Sequence, residues 1–141
     1  MSARFWRPVL MLAVLGSFAA PQAARAQAPS GNPLDGGLMW VWYTPKPGKL
    51  DQMIAQVKKA HMKGVLIKSG DGSTPWHQFN RALVNRLQDA GLHVCAWHYV
   101  YGTHPVQEAR ISAMAYKEGA ECMIIDAETE YEGRPTAARV Y

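Results

Sequence analysis

The sequence lacks several features that would assign it to a well-marked class of protein. No run of about 18 apolar residues occurs, which argues against a helix that crosses a membrane. No Gly-x-Gly-x-x-Gly or P-loop pattern follows a predicted strand, which disfavours nucleotide binding, and no His-x-His or His-Glu-x-x-His spacing of a metal-dependent hydrolase is present. What is present is 141 residues with 48% apolar side chains, the composition of an ordinary globular protein. We therefore expect one domain.

The net charge gives little reason to expect a polyanion partner. Its formal value of +4 depends on Arg4, Arg7 and Arg25, which lie in the first 26 residues, where no acidic residue occurs. The remaining chain has 12 basic and 11 acidic residues, a net charge of +1. We therefore expect no nucleic-acid partner.

Residues 1–26 have the pattern of a secretory signal peptide. An arginine-containing start precedes the apolar run Val9–Ala20, and Ala24-Arg25-Ala26 supplies the small-x-small cleavage pattern. We predict cleavage after Ala26, a secreted or periplasmic protein and no stable membrane anchor. An uncleaved anchor is the alternative, which the shortness of the apolar run disfavours. Residues 27–37 are rich in Pro, Gly, Ser and Asn and predict a flexible leader.

Two cysteines occur, and export would allow them to form a disulfide. Cys95 and Cys122 each lie inside an apolar, strand-like run. We favour two buried free thiols. A bridge between neighbouring strands remains the alternative if the two Cα atoms approach within about 7 Å.

From Leu38 onward the chain repeats a strand followed by a helix. The predicted strands begin 26, 28 and 29 residues apart, at Leu38, Gly64, Leu92 and Glu121. Apolar residues at helical spacing predict a first helix at Leu50, Met53, Ile54 and Val57. A second helix is predicted to start at Ser73-Thr74-Pro75, with Phe79, Leu83 and Leu87 on one face.

The third predicted helix begins at Pro105 and closes at Gly119. Its expected buried side is formed by Val106, Ala109 and Ala113. A fourth helix is predicted to begin at Pro135.

Continuous apolar strands that alternate with helices predict an α/β fold with a parallel sheet. The repeat length suits either a doubly wound sheet or a (β/α)8 TIM-barrel-like fold, which needs roughly 250 residues. We expect residues 38–141 to form the first four β/α units of such a barrel, as a half-barrel or fragment. A complete four-stranded domain is the alternative, although its sheet would have two unpaired edges.

Polar and aromatic residues follow the predicted strands, at the end where barrels place their sites. The candidate substrate-binding residues are Lys68, Asp71, Trp76, His98, Tyr99 and Tyr101. Three of these assignments have structural alternatives: Trp76 as a core anchor, His98 as a structural histidine, and Lys68 with Asp71 as a loop ion pair. The other tryptophans, Trp40, Trp42 and Trp97, are interpreted as filling the core or barrel.

Asp126 and Glu128 are the candidate catalytic residues. Two residues apart on a strand, they share a face, with Cα atoms roughly 6.5 Å apart. Carboxylates so close disfavour each other's ionisation. A protonated acid beside an ionised carboxylate is the arrangement used in glycoside hydrolysis. A solvated acidic loop is the alternative.

These features resemble the barrel glycosidases, and glycoside hydrolase family 25, the lysozyme-like group, in particular. The resemblance rests on Asp126-x-Glu128 after the fourth strand and on Trp97-His98-Tyr99 ending the third, and it covers Leu38 to Gly133. It implies that Glu128 is the general acid and Asp126 its charged neighbour. The strand-one aspartate of that family is missing here, because Met39–Tyr43 contains no acid.

The leading hypothesis is an exported glycoside hydrolase-like protein that cleaves or binds a polysaccharide or cell-wall glycan, without a cofactor or metal. If the chain stops at Tyr141, we expect no turnover, because half of the barrel rim would be missing. One alternative is a metal-dependent barrel phosphodiesterase or other hydrolase, in which Asp126, Glu128 and His98 would bind a divalent cation. The other is a non-catalytic carbohydrate-binding or remnant half-barrel.

Overall fold

The computed structural model describes residues 28–46, 48–134 and 137 of the chain. They form a mixed α/β structure in which helices alternate with the strands of a mostly parallel sheet. In chain order the elements are β1 (Leu38–Val41), α1 (Leu50–Lys59), β2 (Gly64–Asp71), β3 (Thr74–Pro75), α2 (Arg81–Asp89), β4 (His93–Val100), α3 (Pro105–Glu118), β5 (Met123–Ala127) and a 3-10 turn (Thr129–Tyr131). The predicted signal peptide and the helix predicted at Pro135 lie outside the described residues.

Four parallel strands lie in the sheet in the order in which they occur in the chain, β1-β2-β4-β5. The short β3 pairs antiparallel with the end of β2. Because strand-helix-strand crossovers are right-handed, a sequential order places every helix on the same face of the sheet. A doubly wound sheet reverses its strand order and carries helices on both faces. The described strands therefore do not have the doubly wound arrangement.

The helix-covered face of the sheet contains the main hydrophobic core. Alternate strand residues point to it, among them Val41, Val65, Ile67, Val94 and Ala96. The helices contribute Met53, Ile54, Val57, Val84, Leu87 and Ala115. Burial of apolar surface at about 25 cal/mol per Å² makes this layer the main source of stability. The helix predicted at Leu50 is confirmed, with Met53, Ile54 and Val57 buried and Leu50 partly buried.

The second helix begins later than the sequence predicts. Thr74 and Pro75 form β3, not a helix start, and they follow a turn in which Gly72 has a φ of +52°. Glycine adopts this conformation without strain, which favours a hairpin here. Helix α2 is capped by Asn80, whose side-chain oxygen accepts the N–H of Leu83 at 3.1 Å.

Helix α3 begins at Pro105, as predicted, and ends at Glu118. Gly119, predicted to close it, takes the left-handed conformation of a helix cap (φ 105°). The predicted buried side was wrong, since Val106 is 48% exposed. The structure instead buries Glu108, Ile111, Ser112 and Ala115. The Glu108 carboxylate tolerates full burial because it accepts backbone N–H groups, including that of Gly102 at 2.9 Å.

Cys95 and Cys122 form a disulfide, so the favoured prediction of two free thiols was wrong. The cause is the strand register. Ala96 lies beside Met123 in the β4–β5 pair, and this brings the preceding residues, Cys95 and Cys122, next to each other with Cα atoms 4.6 Å apart. That separation is within the range of natural disulfides.

The described part of the predicted leader, residues 28–37, contains no helix or strand. It contacts the start of the sheet, where the N–H of Lys63 donates to the carbonyl of Gly37 at 2.8 Å. Its end is therefore fixed to the amino ends of the strands, away from the predicted site.

Candidate functional site

The sheet face opposite the helices, here called the open face, has a different composition. Residues on neighbouring strands form rows across it. In order from the amino ends to the carboxyl ends, the rows are Trp40, Leu66 and Cys95; then Lys68, Trp97 and Ile124; then Asp71, Tyr99 and Asp126. The last row, here called the rim row, is the most polar. It lies where the sites of parallel β/α proteins are found.

A β-bulge brings Lys68 and Asp71 onto the same face. Side chains alternate along a strand, so residues three apart ordinarily point to opposite faces. The pairing of β2 with β4 shifts between Lys68 and Gly70, which leaves Ser69 as an extra residue. As a result, Lys68 Nζ lies 2.5 Å from Asp71 Oδ2. The two residues form an ion pair within a strand.

The ammonium group of Lys68 is fully buried beneath aromatic rings. It lies 3.8 Å from the ring centroid of Trp42, 4.5 Å from that of Trp76 and 4.8 Å from that of Trp97. Each contact is attractive, because the face of an aromatic ring carries partial negative charge. Together with Asp71, the rings offset part of the cost of removing the ammonium group from water. Lys68 is thus a fixed positive charge that aligns the surrounding rings.

Two tyrosines connect the rim row to nearby carboxylates. The Tyr101 hydroxyl donates to Asp71 Oδ1 at 2.9 Å, and the Tyr99 hydroxyl donates to Glu130 Oε2 at 2.8 Å. These hydrogen bonds are the main reason that the pKa of each tyrosine is raised. The bond from Tyr99 also lowers the pKa of Glu130. Both phenols therefore remain protonated hydrogen-bond donors at neutral pH.

Asp126 and Glu128 follow each other along the open face. Asp126 is half-buried beside Tyr99, and Glu128 is exposed directly after β5. The backbone of Glu128 is extended (φ −107°, ψ −156°), so the strand alternation continues and both carboxylates lie on the same side. No ion pair within the described part of the chain engages either carboxylate. Both can therefore interact with a ligand.

The structure does not bring His98 together with the other predicted site residues. His98 points to the helix-covered face, where its Nε2–H donates to the Gly72 carbonyl at 2.8 Å and its Nδ1 lies 2.9 Å from Ser112 Oγ. The ring is fully buried, and this burial lowers its pKa. Through Gly72, His98 supports the turn that follows Asp71.

The tryptophans differ in exposure. Trp97 is fully buried, and its indole N–H donates to the Val41 carbonyl at 3.1 Å. Trp40 and Trp42 remain 47% and 45% exposed, so they do not simply fill the core as predicted. Trp76 is half-buried between the Lys68 ammonium and Tyr43, and its ring centroid lies 5.2 Å from that of Tyr43. These rings form a partly exposed aromatic surface beside the rim row.

Sequence reasoning missed Gln78, which holds this surface together. Its side-chain amide N–H groups donate to the carbonyls of Trp42, at 2.8 Å, and Lys68, at 3.0 Å. Its side-chain oxygen accepts the N–H of Thr44 at 3.0 Å. One amide thus fixes the ends of two strands relative to each other. A glutamine in a loop has no sequence signal that distinguishes it from a solvated residue.

Sequence reasoning also left Glu130 out of the candidate site. Glu130 is exposed, but its bond to Tyr99 ties the 3-10 turn to the sheet. The only sequence signal was its position shortly after a strand that ends in acidic residues.

Within the described ranges, no group of three or more His, Cys, Asp or Glu side chains is arranged to hold a metal ion. Of the helices in the described residues, none has the length and apolar character needed to cross a membrane. Comparison of the chain with protein-family models, curated proteins and solved structures found no match.

Proposed function

We propose that this chain is an exported glycoside hydrolase-like protein whose open face binds a polysaccharide or cell-wall glycan. Glu128 acts as the general acid and Asp126 as its charged partner. The observation that supports this proposal most strongly is the rim row of Asp71, Tyr99 and Asp126, which lies beside partly exposed aromatic rings.

The exposed rings suit a sugar ligand. Trp40, Trp42 and Tyr43 present large apolar faces, and Tyr43 is 73% exposed. Such faces pack against the apolar faces of pyranose rings, while carboxylates and phenols exchange hydrogen bonds with sugar hydroxyls. The open face thus places aromatic rings and hydrogen-bonding groups on neighbouring strands of the same sheet.

The acid pair supplies the chemistry of the proposed reaction. Glu128, as the acid, gives a proton to the glycosidic oxygen, and the bond between that oxygen and the anomeric carbon breaks. A water molecule then adds to the anomeric carbon, and the proton that the water loses returns to Glu128. The adjacent Asp126 carboxylate stabilises the positive charge that develops on the sugar. Lys68 does not neutralise the Asp126 carboxylate, because its ion-pair partner is Asp71.

We further propose that the described sheet is half of a (β/α)8 barrel. Its sequential strand order and its single layer of helices agree with such a barrel. The open face would then line the barrel interior, and the rim row would lie at the mouth, where barrel enzymes bind their substrates.

The disulfide supports export. A bridge between Cys95 and Cys122 persists in an oxidising compartment and is rare in the cytosol. This agrees with the predicted signal peptide in residues 1–26.

A non-catalytic glycan-binding function is the second candidate. The observation that favours it is the exposure of Trp40, Trp42 and Tyr43, which bind a sugar without any proton transfer. The two candidates differ in what they require of Glu128.

Glycan binding and hydrolysis by variants of the full chain test both candidates. The probes are soluble oligomers of β-1,4-linked N-acetylglucosamine, with calorimetry for affinity and reducing-end release for hydrolysis. Trp42→Ala is expected to weaken binding by about tenfold, since a lost aromatic contact costs about 1.5 kcal/mol. Glu128→Gln is expected to keep the affinity within about twofold and to abolish any hydrolysis.

Tyr116→Ala is the matched control, because Tyr116 lies on α3, away from the open face, and is 53% exposed. Equal losses of affinity in Tyr116→Ala and Trp42→Ala, or no saturable binding by the unmodified chain, would overturn the proposal. Absence of hydrolysis by the unmodified chain would leave only the binding function. Hydrolysis that survives in Glu128→Gln would overturn the role of Glu128 as the acid.

A further inference from the structure

In the part of the chain that the structure describes, the sheet has a free edge at each side. Among the described residues, β1 pairs only with β2, and β5 pairs only with β4. A free edge presents unpaired backbone N–H and C=O groups, which favour pairing with another strand. Both edge strands run in the same direction. The β5 strand of one chain can therefore lie beside the β1 strand of another chain and form a parallel pair with it.

The β1 edge is shaped to receive a partner. A groove of about 370 Å³ runs along it, lined by the strand itself and by α1. Its lining includes Met39, Trp40, Trp42, Gln52 and Gln56. At the opposite edge, Ile124 and Ile125 of β5 are only half-buried although both are strongly apolar. Both edges thus leave apolar surface that a neighbouring strand and helix would cover.

The charges at the two edges are complementary. The segment after β1 contains the exposed Lys46 and Lys49, whereas the segment after β5 contains the exposed Glu128 and Glu132. None of the four forms an ion pair within the described ranges. The carboxyl ends of parallel strands meet at one rim, so pairing of β5 with a second β1 brings these opposite charges together. This complementarity favours a second copy over an unrelated partner.

We propose that two copies of this chain join edge to edge, each β5 beside the β1 of the other copy. A twofold axis makes the two contacts identical and closes the eight described parallel strands of the two copies into a ring without a free edge. The open faces of both copies then face the interior. This proposal rests on the strand edges and their charges, and it does not depend on glycan binding.

Charge reversal tests the proposal in the full chain. The first variant combines Lys46→Glu with Lys49→Glu, and the second combines Glu128→Lys with Glu132→Lys. Each variant alone places like charges at both contacts, so each is expected to sediment as a monomer, with dimerisation weakened by at least about tenfold. An equimolar mixture restores opposite charges at both contacts and is expected to give a dimer.

Circular dichroism of each variant verifies that it is folded. The control combines Lys58→Glu with Lys59→Glu in the last turn of α1, which changes the net charge equally but lies at the other end of the strands. It is expected to sediment as the unmodified chain does, as a dimer. A monomeric unmodified chain at low salt, an open series of larger oligomers, or a mixture that stays monomeric would overturn the proposal.

Discussion

The helix-covered face and the open face are formed by the same four parallel strands, with side chains alternating between them. On the helix-covered face the strands contribute mainly Val, Ile and Ala, which pack against three helices. On the open face they contribute Trp, Lys, Tyr and Asp, several of which remain partly exposed. Adjacent residues of one strand therefore have very different surroundings.

The two faces therefore differ in what explains their residues. Burial of apolar surface explains the residues of the helix-covered face, but it does not explain a charged residue such as Lys68 on the open face. Val and Ile on the helix-covered face gain free energy simply by leaving water. A buried Lys68 gains none in this way, and it requires a bulge, a carboxylate and several rings to be tolerated. Buried apolar side chains of similar volume would stabilise the fold at least as well. Stability alone therefore does not explain the composition of the open face.

The largest expected effect compares two neighbours in β2. Ile67 is fully buried on the helix-covered face, and Leu66 is 8% exposed on the open face. We expect Ile67→Ala to lower the free energy of unfolding by about 4 kcal/mol and Leu66→Ala by about 2 kcal/mol, because fewer atoms surround the cavity at Leu66.

Urea denaturation measures both losses in a chain that also carries Lys46→Glu and Lys49→Glu, so that no second copy covers the open face. Equal losses of unfolding free energy in the two variants would mean that the two faces of the sheet are packed equally well, which would contradict the difference described above.

A smaller effect is expected within the Lys68–Asp71 pair. Asp71→Asn leaves a fully buried ammonium group without its carboxylate, whereas Lys68→Met removes the charge and leaves Asp71, whose side chain is 31% exposed, with its hydrogen bond from Tyr101. We expect Asp71→Asn to cost about 2 to 3 kcal/mol and Lys68→Met about 1 kcal/mol or less. Thermal unfolding of both variants measures the difference. If Lys68→Met is the more destabilising, the positive charge itself stabilises the fold.

The sequence predicts the helix-covered face better than the open face, because apolar periodicity reports burial directly. The strand repeat, the buried residues of α1 and both ends of α3 were confirmed. The buried side of α3 was mispredicted. Glu108 and Ser112 are buried there because hydrogen bonds satisfy their polar groups, and no hydrophobic pattern shows such bonds. Periodicity fails wherever a polar side chain finds its partners in the interior.

The candidate site depends on register, which the sequence does not display. One extra residue at Ser69 decides that Lys68 and Asp71 meet. Register also joins Cys95 to Cys122, and strand alternation places His98 on the helix-covered face, away from the rim row. Such pairings between distant segments follow from how strands align. The apolar pattern of a strand restricts which face each residue takes, but by itself it does not identify the residue's neighbour on the next strand.

The smallest expected effect concerns His98, the polar exception on the helix-covered face. Burial holds its pKa below the ordinary value of 6.5, so the folded chain keeps the ring neutral, despite the nearby carboxylates of Glu108 and Asp71. In the unfolded chain the pKa returns to its ordinary value. Between pH 6.5 and the lower folded pKa, the unfolded chain binds more protons, and stability falls as the pH falls.

His98→Gln retains an amide N–H that can donate to the Gly72 carbonyl but has no proton to gain in this range. Urea denaturation from pH 7.5 to pH 5 is therefore expected to show a shallower loss of stability in His98→Gln than in the unmodified chain. Carboxylates that titrate in this range do so in both chains, so the difference between the two profiles isolates the histidine. Identical profiles would mean that the ring gains its proton as readily when folded as when unfolded, and that the helix-covered face is open to water at its carboxyl end.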